Sequence, residues 1–268
     1  MNLAGRTAVV TGAAGGIGRA IAVSLAARRC HLALADIDEA GLAQTRGLVE
    51  SRGVDVSQHL LDVADPNAVA AFPNAVAQRH DKVNLLFNNA GVAVGGTFEE
   101  VSESDFRWLF DINFWGVVRM TRAFLPVLRQ SDAARIVNVS SLFGLISPPG
   151  QTAYSASKFA VRGFSNALRY ELEGSTVGVT VVHPGGVATS IAKNSRRPDG
   201  RSGAEVEAAI ARIETMLRMP PERAGEIIVH GVAKGKARIV VGADARICSL
   251  IERLMPVSYW RLLSRGLK

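Results

Sequence analysis

Seven short strand-like runs recur along the chain, and the stretches between them carry apolar residues at the three- and four-residue spacing of helices. The runs are Thr7–Val10, His31–Ala35, Ser57–Leu61, Val83–Phe87, Arg135–Val139, Val179–Val182 and, late in the chain, Arg238–Val241. Ile17 to Ala27 and Phe106 to Leu128 are the plainest helical stretches between them. Strands that are apolar without alternation must be covered on both faces, which is the condition of a parallel sheet whose crossovers are helices. Right-handed crossovers then wind the chain outward in both directions from a central strand. The predicted fold is α/β: one doubly wound parallel sheet of about seven strands with helices on both faces. A chain of 268 residues suits one such core better than two. With no repeat, linker or low-complexity tract in view, residues 1–268 are read as a single domain.

No apolar run approaches the ~20 residues of a membrane helix. Met1 leads directly into the strand-like Arg6 to Thr11, without a charged-then-apolar leader, so a cytoplasmic protein is expected. The two cysteines, Cys30 and Cys248, have no ligand neighbours at metal spacing, so neither a metal site nor a disulfide framework is expected. Charge is unevenly placed. Residues 1–189 balance sixteen basic against sixteen acidic side chains, whereas 190–268 hold fifteen basic and eight acidic, a difference equal to the whole net charge of +7. That asymmetry suits either a solvated basic face or contact with an anionic surface or ligand.

The first strand ends in Thr11-Gly12-Ala13-Ala14-Gly15-Gly16-Ile17-Gly18 and a helix follows. Glycines permit a tight turn and close backbone approach there, and the helix start presents free N–H groups to a pyrophosphate. The position between strand and helix makes Gly12, Gly16, Ile17 and Gly18 candidates for a Rossmann-type dinucleotide site. Asp36 closes the second strand about twenty residues further on, where a carboxylate accepts from the adenosine ribose hydroxyls and repels a 2′-phosphate. The expected cofactor is therefore NAD. Asp62 and Val63, at the end of the third strand, complete the adenine side, with Asp62 set to bond the amino group. Asn88-Asn89-Ala90-Gly91 follows the fourth strand as a turn.

Tyr154-Ser155-Ala156-Ser157-Lys158 places a phenol and an ammonium one helical turn apart on one face. A cation beside a phenol favours phenolate, so a depressed tyrosine pKa is expected. Ser141 lies thirteen residues upstream, and Asn113 falls inside the long helix Phe106 to Leu128.

Taken in order, Thr11-Gly12-x-x-x-Gly16-x-Gly18, Asn88-Asn89-Ala90-Gly91, Asn113, Ser141, Tyr154-x-x-x-Lys158 and Pro184-Gly185-x-x-x-Thr189 resemble the classical short-chain dehydrogenase/reductase family. The likeness is close over residues 3 to 190 and looser beyond. It implies that Tyr154 exchanges a proton with the substrate oxygen. Lys158 lowers the pKa of Tyr154 and bonds the nicotinamide ribose, while Ser141 polarises the carbonyl. Asn113 holds a water in the proton relay. Asn89, Ala90 and Gly91 touch the cofactor, and Pro184, Gly185, Val187 and Thr189 frame its carboxamide. His183 departs from the pattern, standing where a small or amide side chain is expected; it is read as a strand-end side chain, a pocket residue or an extra proton carrier.

Between residues 190 and 220 the rhythm breaks. A basic stretch, Lys193 to Gly200, precedes an apolar stripe of Val206, Ala209, Ile210, Ile213, Met216 and Leu217. Its position after the sixth strand suits a substrate lid. Val92, Val94, Leu142, Phe143, Leu145, Ile146, Val187, Ile213, Met216 and Met219 are the expected pocket residues; they either face the substrate or pack the lid. If they face it, the substrate is a lipophilic secondary alcohol or ketone, of steroid, retinoid or fatty-chain type. Two alternatives share the motifs: a reductase of carrier-bound 3-ketoacyl thioesters, and a non-catalytic NAD-sensing protein, against which the intact Asn113, Ser141, Tyr154 and Lys158 stand. A homodimer or homotetramer built on the helices of Asn113 and Tyr154 is implied, and no nucleic-acid partner. The segment 244–268 carries Ile247, Leu250, Ile251, Leu254 and Met255 at helical spacing, with Arg246 and Arg253 among them. Beyond Pro256 come Tyr259, Trp260, Leu262 and Leu263, interleaved with Arg261, Arg265 and Lys268. This amphipathic extension packs on its own domain or a neighbouring subunit, or lies on an anionic membrane.

Overall fold

A computed structural model describes residues 1–197 and 203–264, without the side chains of residues 204–206, 209 and 212. Pro198, Asp199 and Gly200 of the basic stretch, the Val206 and Ala209 side chains of the lid stripe, and Arg265 and Lys268 of the tail lie outside the described residues.

The strands are β1 Thr7–Thr11, β2 His31–Asp36, β3 Val56–Leu60, β4 Leu85–Asn88, β5 Ala134–Val139, β6 Val177–Pro184 and β7 Arg238–Val241. They form one sheet in the order β3-β2-β1-β4-β5-β6-β7, and every pairing is parallel. The chain runs outward one way from β1 and then returns to run outward the other way from β4. Between those two strands the crossovers diverge, so the carboxyl ends of β1 and β4 open a crevice.

One face of the sheet is covered by α1 (Gly16–Ala26), α2 (Glu39–Glu50) and α8 (Pro221–Ala233). Ile21, Leu25, Leu42, Ile228 and Val232 join the strand side chains in that core. Helices α1 and α8 approach closely because Gly225 has no side chain: a β-carbon there would lie 2.6 Å from the Ala20 backbone. The other face is covered by α3 (Pro66–Ala77), α5 (Gly116–Leu128) and α6 (Thr152–Glu171), through Phe72, Met120, Phe124, Leu128 and Leu168. Each fully buried aliphatic or aromatic side chain contributes about 1.5–3 kcal/mol. These two layers hold the crevice rigid.

The stretch Phe106 to Leu128 is not one regular helix. It is α4 (Glu103–Phe110), a π-helical turn over Asp111–Trp115, and then α5. The Gly116 N–H reaches back to the Asp111 carbonyl, five residues before it. The extra residue turns Asn113 into the interior, where it is fully buried; such turns recur at functional sites. Of three further helices, α7 (Gly203–Glu214) lies between β6 and α8, and α9 (Ala243–Leu254) and α10 (Tyr259–Leu263) follow β7. Among the described residues no helix is long and apolar enough to cross a membrane.

Candidate active site

The crevice is built around Thr11. Its hydroxyl donates to the Phe87 carbonyl (3.2 Å) and accepts from the N–H groups of Asn89 (3.0 Å) and Ala90 (3.1 Å). The Asn89 amide in turn donates to the Thr11 and Gly12 carbonyls at 3.0 and 3.2 Å. The two strand ends are thereby locked across the switch point. Gly12 and Gly16 have φ of +65° and +50°, a backbone region that other residues rarely enter. A β-carbon at Gly12 would lie 2.7 Å from Asn89 Nδ2, and one at Gly16 would lie 3.0 Å from Thr189 Cγ2. Gly18 is packed on the Gly12 carbonyl, and Ile17 packs at the edge of the core. Helix α1 starts behind Gly15 with no side-chain cap and no acidic residue in its first turn. Its free N–H groups and the positive end of its dipole face a cradle lined by backbone, which fits a pyrophosphate.

Asp36 is held by three backbone donors. Oδ2 accepts from Ala14 (2.9 Å), and Oδ1 accepts from Ile37 (2.8 Å) and Asp38 (3.2 Å). The carboxylate therefore belongs to the rim of the glycine turn itself. Asp62 is exposed and caps the bend after β3 by accepting from the Ala64 N–H. The Val63 side chain is buried against Gly116 at the start of α5, so only its backbone faces outward. Across the crevice, Gly185 follows the end of β6 and donates to Val241 (2.9 Å). Val187 is buried and bridges Met219, and Thr189 lies against Gly16. Residues distant in sequence, Gly12 to Gly18 and Pro184 to Thr189, form the two walls of one cleft.

Ser141, Tyr154 and Lys158 come together where the carboxyl end of β5 meets the first turns of α6. Ser141 caps a short 3₁₀ turn, Leu142–Gly144, by accepting from the Phe143 N–H. Its hydroxyl lies near enough to the Tyr154 phenol to favour the ionised form. The Phe143 ring meets the Tyr154 ring edge-on at 6.1 Å. Lys158 is buried, donates to the Val139 carbonyl at 3.3 Å, and lies 5.6 Å from the centre of the Tyr154 ring. Asn113 is the fourth member. Its Oδ1 accepts from the Val92 N–H (2.8 Å), and its Nδ2 donates to the Val92 carbonyl (2.9 Å) and Ser157 Oγ (3.2 Å). A β-carbon at Gly91 would come within 3.1 Å of Asn113 Oδ1 and 3.2 Å of Lys158 Nζ, so the glycine is what lets the three meet.

The electrostatics differ from the sequence expectation. Burial pushes the Tyr154 phenol above its ordinary value, and the nearby Ser141 hydroxyl only partly opposes this. Burial also brings Lys158 down to about 8. Four-residue spacing places the two residues on one helix face, and the ammonium lies 5.6 Å from the ring centre, but burial is the largest influence on the phenol. The phenol is held protonated, as a proton donor must be.

Three contacts at this site have no local sequence signature. His183 is fully buried, with Nδ1 3.0 Å from the Ser141 carbonyl. That carbonyl also accepts from the Gly144 N–H at 3.0 Å, so His183 braces the turn that aims Ser141. Asp244 crosses from α9 to accept from the Gly186 N–H at 2.7 Å. Arg196 pairs with Val94 through its backbone, lies 3.6 Å over the Trp108 ring and reaches Asp105 at 3.1 Å. It pins the segment after β6 onto the segment after β4, across the cleft mouth.

His183 also makes a prediction. Burial lowers its pKa from 6.5 to about 4, so the folded state favours the neutral ring. Its contribution to stability is complete above pH 6.5 and disappears as pH falls toward 4. That difference is worth about 3 kcal/mol. His183→Asn should therefore lose less stability than the wild type over this acid range, read as urea midpoints against pH. Parallel curves for the two proteins would contradict the assignment.

A glycine-rich turn entering an uncapped helix, faced by a Ser–Tyr–Lys cluster on one doubly wound sheet, defines a dinucleotide-dependent oxidoreductase. The chain matches the short chain dehydrogenase family over residues 6–200. It is 45% identical over 264 residues to a Mycobacterium tuberculosis protein named as oxidoreductase SadH, covering 98% of this chain and 95% of that one. A Burkholderia phymatum short chain dehydrogenase/reductase, solved in complex with NAD, superposes with a TM-score of 0.88 at 32% identity, over 95% of each chain. A Mycobacterium paratuberculosis short chain dehydrogenase bound to NAD has a TM-score of 0.77 at 27% identity, over 90% of this chain and 97% of that one. The chain belongs to the short-chain dehydrogenase/reductase family.

Proposed function

We propose that the protein is an NAD(H)-dependent oxidoreductase that interconverts a lipophilic secondary alcohol and the corresponding ketone. The observation that carries this reading is the convergence of Ser141, Tyr154 and the buried Lys158 where β5 meets α6. A carbonyl oxygen in the cleft accepts from the Ser141 hydroxyl and the Tyr154 phenol, which polarises it. Tyr154 gives its proton to that oxygen as charge develops there, and Lys158 offsets the charge left on the phenolate. In the oxidative direction Tyr154 takes the alcohol proton. NAD(H), when bound, supplies or accepts the hydride. Gly12, Gly16, Ile17 and Gly18 would hold its pyrophosphate, and Asp36 the adenosine ribose. Asp62 and Val63 would border the adenine; Asn89, Ala90, Gly91, Pro184, Gly185, Val187 and Thr189 would border the nicotinamide half. Asn113, whose amide is engaged by Val92 and Ser157, sets the wall behind Lys158. A carboxylate at Asp36 favours NAD over NADP.

The cleft walls support a lipophilic substrate. Phe143, Leu142 and Val92 are partly exposed around Tyr154, while Val94, Leu145, Ile146 and Val187 are buried and serve as packing. Met216 is 47% exposed and Ile213 36%, leaving apolar side chains on the segment that acts as a lid, with Arg196 as its latch. None of these wall positions carries an acid or a base, so a substrate phosphate or carboxylate would find no partner among them. Exposed Tyr170 on α6 and half-exposed Trp115 before α5 support assembly through those helices into a homo-oligomer. The test is an oxidation screen with NAD against steroids, retinol, aliphatic secondary alcohols and 3-hydroxyacyl thioesters. Highest kcat/KM on a lipophilic alcohol is the expected result. Preference for the thioester, run in reverse with NADPH, would replace this reading with that of a ketoacyl reductase.

A further inference from the structure

The last two helices present a face that the reaction does not use. On α9, Arg246, Ile247, Leu250, Arg253 and Leu254 are all exposed, at the spacing of one helix face. Ile247 and Leu250 are each 58% exposed and Leu254 72%. Val257, in the bend before α10, is 93% exposed, and α10 adds exposed Leu262 and Arg261. Contiguous apolar surface of this kind needs something to cover it.

Charge selects the cover. The face carries three arginines and none of the acids of α9. Asp244 is exposed but engaged by the Gly186 N–H, and Glu252 is half-buried on the side of Arg238. The positive field continues beside it, in a surface groove lined by Lys236, Arg238 and Arg246. Glu226, the acid lining that groove, is paired with Arg28. A second copy packed on this face about a two-fold axis would set arginines against arginines with no acid of the face between them, a costly arrangement. Anionic headgroups would instead neutralise the arginines while the leucines enter the acyl boundary.

We propose that the exposed face of α9 and α10 docks the protein on an anionic lipid bilayer. The face is joined to the catalytic loop: the Tyr259 hydroxyl accepts from the Ser147 N–H at 2.9 Å, three residues beyond the turn that Ser141 caps. Docking would thus set the cleft mouth beside the bilayer. The proposal rests on surface geometry and not on the reaction, so its test reads binding alone.

The full chain is sedimented with phosphatidylcholine vesicles, with or without about a third phosphatidylglycerol. Two double variants are compared, Arg246→Glu with Arg253→Glu and Leu250→Ser with Leu254→Ser. Thermal melts and the mass of the native assembly are measured on each to confirm folding and oligomeric state. The wild type should bind the anionic vesicles and lose them as ionic strength approaches about 1 M, where the screening length is about 3 Å. Each arginine near the surface is worth roughly fivefold in affinity, so the arginine variant should bind about thirtyfold more weakly or worse. The leucine variant should also lose binding. Equal sedimentation with neutral vesicles, no sedimentation, or folded variants that bind as the wild type does would overturn the proposal. A wild type that ignores vesicles, with a leucine variant whose assembly has a smaller mass, would assign the face to a second copy instead.

Discussion

Replacing Tyr154 by phenylalanine is expected to lower kcat by about a thousandfold or more while leaving NADH affinity nearly unchanged. The change removes one oxygen and little else. The ring keeps its edge-on contact with Phe143 and its place beside Lys158, so the cleft retains its shape. What is lost is the proton donor and one of the two hydrogen bonds that polarise the carbonyl. General acid–base assistance alone is worth ~10²–10⁴-fold, and a donor aimed at developing negative charge adds ~10²–10³-fold. Steady-state kinetics on the best substrate and NADH fluorescence titration separate the two quantities. A variant retaining more than about a tenth of wild-type kcat would show that another group moves the proton.

The parts of this molecule that were legible in the sequence are those that repeat locally. Strand period, helix period and the glycine turn each occupy a few neighbouring residues, so the sheet and the strand–turn–helix at Gly12 to Gly18 could be read directly. Asp36 was legible because its distance from the glycines is set by one helix and one strand. The contacts that aim the catalytic groups were not. His183 meets Ser141 across 42 residues, and Asp244 meets Gly186 across 58. Neither pairing leaves a pattern in either local segment, since the sheet order decides who becomes a neighbour. His183 looked like a strand-end residue because its position is one; only the fold reveals the carbonyl in front of it.

Spacing also misled where chemistry depends on side-chain direction. Tyr154 and Lys158 do share a helix face, but the spacing says nothing about burial, which here raises the phenol's pKa and keeps it protonated. The long stretch Phe106 to Leu128 read as one helix because a π turn adds a single residue without disturbing the apolar period by much. Similarly, hydropathy could not distinguish walls from filling. Leu145 and Ile146, 1% and 3% exposed, are as apolar as Leu142 and Phe143, and they lie behind them.

The wild type should use NAD far better than NADP, and Asp36→Ala should abolish most of that preference. A 2′-phosphate would come to rest against the Asp36 carboxylate. Two unit charges about 4 Å apart repel by ~4 kcal/mol at an effective dielectric of 20, close to a thousandfold in kcat/KM. Removing the carboxylate removes that repulsion. It also releases the N–H groups of Ala14, Ile37 and Asp38, which the carboxylate now holds at 2.9, 2.8 and 3.2 Å. Because Ala14 belongs to the glycine turn, the variant should lose NAD affinity as well as gain tolerance of NADP. Asp36→Asn separates the two effects, since its one amide oxygen can still accept from the Ala14 N–H of the turn but carries no charge. It should keep more of the NAD activity than alanine does while losing the discrimination. Comparable kcat/KM for both cofactors in the wild type would remove the electrostatic role from Asp36. An unchanged ratio in both variants would do the same, and selectivity would then have to come from the rest of the β2 edge.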